Sequence, residues 1–165
     1  MPDNLIYDRT AADVSRVAEL TRKMRSGTAS DTERAEWLDG RMKGAWNASD
    51  LNRIERWTIY LTDFLAQQGY TAKVFVRRSN WTMEDFPTRS DIDRIRRNVD
   101  ALQNCFLALP DWRAIVYNGT MDFAQANALE WDLGRIEIWL KETVDALTLR
   151  RADTLFMQAG GIWNA

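Results

Sequence analysis

Carboxylates are the residues in this chain that could do acid–base chemistry. The 165 residues include no histidine, which removes Ser–His and Cys–His nucleophile pairs, histidine metal ligands and imidazole catalysis together. The single cysteine, Cys105, allows neither an intramolecular disulfide nor a multi-cysteine metal motif. Its position before Phe106 and Leu107 is that of a small buried hydrophobe. A hydrolase built on one carboxylic acid and one carboxylate base or nucleophile would have to draw on Glu84, Asp85, Asp111, Asp122 and Glu130. Carboxylates at this frequency are ordinary on a helical surface, and no spacing singles out a pair. Asp91 and Asp93 lack the glycine and the terminal glutamate of a calcium loop and fit a helix N-terminus instead. Gly160 and Gly161 have no following lysine to cradle a phosphate. The expectation is no catalytic residue, no metal and no cofactor: not an enzyme.

Tryptophan is the compositional outlier, with eight residues. Trp37 and Trp57 fall beside or on apolar helical faces and read as core. Trp46, Trp81, Trp112 and Trp163 fall in predicted loops or in the tail, where an amphipathic ring either closes the end of a bundle or contacts a partner or a sugar.

The elements that must carry these residues are mostly helical. Thr10 with Asp13 opens a first helix with Val14, Val17, Thr21 and Met24 on one face, ended by Gly27. Ser30 with Glu33 opens a short second helix with an apolar stripe of Ala35, Leu38 and Met42. Asn47 or Ser49 caps a third, in which Leu51, Ile54, Trp57, Leu61, Phe64 and Leu65 recur at helical spacing up to Gly69. Ser90 with Asp93 opens a fourth, whose seam is Ile92, Ile95, Val99, Leu102, Phe106 and Leu109. A fifth runs from about Met121 to Leu149, about 42 Å long. It has one stripe of Ala126, Leu129, Leu133, Ile136, Leu140, Val144 and Leu147. A second, rotated stripe contains Ala124, Ala128, Trp131 and Ile138, with Trp139 between the two. A helix apolar on two sides is buried between neighbours or forms an interface, and Trp131, Ile138, Trp139, Ala124 and Ala128 are the candidate protein-interface residues. Short extended segments are expected near 5–7, 73–77 and 154–158. Together these give one domain over residues 1–165, mainly all-α, a bundle of about five helices with a small β-like accessory.

Composition narrows the partners. Hydrophobic residues at 45% against 28% charged describe a chain that folds. A net charge of −2 with intermixed signs leaves no electrostatic footprint for nucleic acid. Arg89, Arg94, Arg96 and Arg97 share their helix with Asp91, Asp93 and Asp100, a mixed-charge face. No segment approaches the roughly 20 apolar residues of a membrane span, and the N-terminus lacks the charged and apolar regions of a signal peptide.

Several segments carry a resemblance. NLIYDRTAADVSRV, ERAEWLDGRMKGAWNASDLNRIE with the apolar helix ending at Gly69-Tyr70, and Trp81 to Thr88 are similar to small proteins encoded among the tail genes of phages and prophages of Gram-positive gut bacteria. An Asn-x-x-Asp-Leu-Asn-Arg pattern is present as Asn47 to Arg53. In that block Asn47 or Ser49 caps, Asp50 complements the helix dipole, Leu51 enters the core, and Asn52 and Arg53 face outward or tie to the preceding loop. The end of the chain, Gly160 to Trp163, departs from the more acidic Gly-Glu wording of similar chains. The resemblance implies a virion component of the tail tip, baseplate or fibre region, made in the host cytoplasm, whose partners are other phage structural proteins or itself; it carries over no binding residues. Two alternatives stand beside it: a cell-wall or capsular glycan-binding module using the loop tryptophans, and a small effector that blocks a host protein.

Overall fold

The computed structural model describes residues 2–74, 76–105, 109–115 and 121–160, with the backbone alone from 152 onward. Among these residues the chain is all-α, with five helices and no strand: α1 (Ala11–Ser26), α2 (Asp31–Asp39), α3 (Ala48–Gln67), α4 (Arg89–Gln103) and α5 (Phe123–Gly160). Four of the starts are reciprocal capping boxes, Thr10 with Asp13, Ser30 with Glu33, Asn47 with Asp50 and Thr88 with Asp91. Each satisfies two backbone N–H groups that the first turn leaves without partners. The fourth differs from the expected Ser90 and Asp93. Two overlapping boxes compete there, and the earlier one wins by letting the helix begin just past Pro87. Asp93 is left to pair with Arg96 and Arg97.

The core lies where α3, α4 and α5 meet. Leu51, Ile54, Trp57, Leu61 and Leu65 of α3 pack with Ile92, Ile95, Val99 and Leu102 of α4 and with Leu129, Leu133, Ile136 and Leu140 of α5. Trp81 and Leu109 close it from the loops; Phe106 of the expected seam lies outside the described residues. The α1–α2 hairpin is a thinner unit. Leu20 is its fully buried side chain, whereas Val14, Ala35 and Leu38 are exposed, Leu38 by 76%. The apolar stripe expected on α2 is therefore not a core face. At nine residues α2 is too short to cover much, and it is held to α1 by Lys23–Glu33 and Arg16–Glu36 ion pairs. The hairpin meets the loop ahead of α3 where Gly44 lies on the α1 start. A Cβ on Gly44 would come within 2.2 Å of the Asp13 backbone, so no larger residue fits without separating the two.

The expected β-like accessory does not form a strand among the described residues. The segment 5–7 lies along α5, but its Ile6 N–H is taken by the Glu130 carboxylate rather than by another strand. In 73–77, the Val76 carbonyl accepts from Arg94, and Phe75 lies outside the described residues. The segment 154–158 belongs to α5. Between Gly134 and Gly160 the sequence contains no glycine or proline, and extending an existing helix avoids the cost of a new nucleus. Residues 161–165, with Trp163, lie outside the described residues. No helix among the described residues is long and apolar enough to cross a membrane.

Candidate functional site: the outer face of α5

An ionic cluster inside the protein fixes α5. Glu130, with none of its surface exposed, takes Arg9 on Oε1 at 2.7 Å and Arg53 on both oxygens, at 2.7 and 2.8 Å. Arg9 also reaches Asp50 at 2.9 Å, and Arg53 pairs with the same Asp50. Two cations and two anions thus meet in a buried pocket. The backbone on either side of Arg9 is clamped too: its N–H donates to Asn127 Oδ1 at 3.1 Å and its carbonyl accepts from Asn127 Nδ2 at 2.9 Å. Burial opposes charge on Arg53, yet its hydrogen bonds and ion pairs with Glu130 and Asp50 hold its pKa above the ordinary arginine value. Both Glu130 oxygens face arginines or a backbone N–H, an arrangement that holds segments together and leaves no lone pair aimed at a substrate.

This cluster corrects the expectation for the Asn47–Arg53 block. Arg53 does not face outward; it is buried against α5. Asn52 ties to a later loop, donating to the Trp81 carbonyl and accepting from the Trp81 N–H, both at 2.8 Å. Arg9 has no local sequence signal at all. For Glu130 and Asp50 there is one: each is a charge set among the apolar positions of its helix.

The segment 3–9, held by the cluster, covers part of the predicted interface. Tyr7 meets Trp131 edge-on with ring centroids 5.4 Å apart, and the Arg113 guanidinium lies over the Trp131 ring, 3.9 Å from its centroid. Leu5 approaches Gly134, and the Trp57 indole donates to the Asp3 carbonyl at 2.7 Å. Trp131 is therefore half-buried against its own chain. Trp139 is half-buried on the core, Ala128 is half-buried, and Ala124 and Ile138 are exposed. The loop tryptophans divide similarly. Trp81 is buried beneath Arg78, whose guanidinium lies 4.0 Å from the ring, while Trp46 and Trp112 pack partly buried against the core. Each of the three is thus at least partly buried against its own chain.

The candidate carboxylates are engaged separately. Asp85 pairs with Arg78 and caps Thr82; Asp111 pairs with Arg135 at 2.6 Å; Asp122 accepts from the Gln125 N–H at the start of α5; Glu84 is exposed. Asp132, not among them, is an acid held strongly toward its neutral form. It is fully buried, and burial pushes its pKa up to about 7, against the pull of the Arg113 backbone N–H and side chain. Among the described residues no group of three or more Cys, Asp or Glu is placed to hold a metal ion.

Past Leu140 the surroundings of α5 change. Every residue from Asp145 to Arg151 is exposed, including Leu147 at 48% and Leu149 at 67%. A shallow groove runs between the end of α3 and this helix, lined by Tyr70, Leu140, Val144 and Leu147, and a second lies along Trp139, Thr143 and Ala146. Apolar side chains exposed near the end of a helix are candidates for packing against a neighbour. No family model matches the chain, and comparison with curated proteins and with solved structures finds no match.

Proposed function

We propose that this chain is a non-enzymatic component of a phage virion, in the tail tip, baseplate or fibre region, that works by docking through α5 onto other virion proteins or onto itself. The observation that carries the docking part is the stretch of α5 from Asp145 to Arg151, exposed throughout yet carrying Leu147 and Leu149 beside the half-buried Val144. A free helix of this length is marginal in water and gains from burial against a neighbour. The virion part rests on the resemblance to phage tail-gene products, and the segments that carry it include the residues of the buried cluster: Arg9 from the first, Asp50 and Arg53 from the second.

Mass spectrometry of purified particles from cells carrying the gene tests this reading. The chain is expected at a fixed ratio to the tail proteins. Recovery in the soluble fraction alone overturns the virion reading and favours an effector that blocks a host protein through the same helix.

A further inference from the structure

Residues 109–115, between α4 and α5, are tied to α5 at a point where a proton matters. Asp132 Oδ1 accepts the Arg113 backbone N–H at 2.9 Å, while Oδ2 is buried and has no hydrogen-bond partner among the described residues. A fully buried carboxylate with so few donors is costly, and the neutral acid is the form such a site accommodates. The charged groups around it come from three elements. Asp100 on α4 is paired with Arg96; Asp111 in the loop is paired with Arg135 of α5; and Arg113 donates its N–H to Asp132 while its guanidinium lies on Trp131.

We propose that Asp132 is a protonation-controlled latch: the uncharged acid holds the loop at Arg113 and Ala114 against α5 and Arg113 over Trp131, and loss of the proton lets that part of the loop lift so that water reaches the carboxylate. The loop is the side that gives. Helices α4 and α5 flanking the site are anchored by the buried Val99, Leu102, Leu133 and Ile136, whereas the loop, held on the core by Leu109, Trp112 and Ile115, has no helix or strand at 112–115 and exposes Arg113 and Ala114 between those anchors. The consequence is that Trp131 on the outer face of α5 becomes accessible in a pH-dependent way. This needs no virion and stands apart from the reading above.

Hydrogen exchange of the full chain, expressed as protection factors for the Arg113 and Ala114 amides between about pH 4 and about pH 8, tests the latch. In the parent, protection is expected to fall by up to about tenfold per pH unit on the acid side and to level off near neutrality. In Asp132→Asn it stays high throughout. Constant protection in the parent, or the same slope in Asp132→Asn, overturns the proposal. Arg113→Ala is the second variant, because it keeps the backbone N–H and Asp132 intact. Its slope is expected to persist, and losing it also overturns the latch. Acrylamide quenching of Trp131, taken as the difference from Trp131→Phe, is expected to rise with pH in the parent and to be high at every pH in Arg113→Ala.

Discussion

The two halves of α5 are one helix in two environments. From Phe123 to Leu140 it contributes Leu129, Leu133, Ile136 and Leu140 to the core and Glu130 to the ionic cluster, all buried. From Lys141 onward the same periodicity continues through Val144 and Leu147, but only the segment just past α3, at Gln68 and Tyr70, lines a groove with it, and every residue from Asp145 to Arg151 is exposed. Similar side chains at the same spacing are thus core in one half and candidate contact surface in the other. What separates them is where α3 and α4 end.

Substitutions that treat the two halves differently sharpen this contrast. The largest effect belongs to Glu130→Ala, which leaves Arg9 and Arg53 facing each other in a buried pocket. Urea denaturation should show a loss of up to about 5 kcal/mol, or no folded chain. Next comes the pH dependence of Asp132. Its pKa is raised when folded, so the folded chain binds the proton more tightly than the unfolded chain. The associated stability is complete below about pH 4, erodes as pH rises, and is gone above about pH 7. At pH 8 Asp132→Asn should therefore be more stable than the parent by as much as about 4 kcal/mol, with the gap closing toward pH 4. A smaller gap at pH 8 measures how far loop opening relieves the buried charge. Leu133→Ala should cost about 3 kcal/mol by the same denaturation assay, since it empties a core position. Leu147→Ala, the same change in the second half, should shift the stability of the isolated chain by less than about 1 kcal/mol. It should instead weaken any self-association measured by light scattering. Equal losses for Leu133→Ala and Leu147→Ala would erase the distinction between the halves.

Much of the helical framework was legible because it is encoded locally. A capping box spans four residues, so the starts at Thr10 and Ser30 are legible, and the third is legible to within the pair Asn47 and Ser49, of which the structure uses Asn47. Thr88 is not singled out by the sequence, because Ser90 offers an equally good local pattern and only the chain's exit from Pro87 favours the earlier start. The buried seams of α3 and α4 followed from apolar spacing. The α2 stripe did not, because spacing reports which residues share a face and not whether anything covers it. The tail was misread for a related reason: Leu155, Phe156 and Met157 suit an extended segment as well as a helix, and continuity with α5 decided the matter.

The functional face shows the same division. The second stripe of α5 was visible in the sequence, yet Trp131 proved to be covered by Tyr7 and Arg113, and the open apolar surface lies farther along. Arg9 and Glu130, 121 positions apart, form an ion pair that no local pattern announces.

By itself the sequence determined that there are five helices, two of their caps, the core seams, and the absence of histidine and of paired cysteines, because each of these depends on residue identity or on neighbours within a few positions. The tertiary structure decided which apolar stripe is covered, which carboxylates meet arginines, and that Asp132 is sealed from water. Burial and charge pairing are properties of distant segments brought together, and the free energy of an ionisable group depends on what surrounds it, not on its place in the chain.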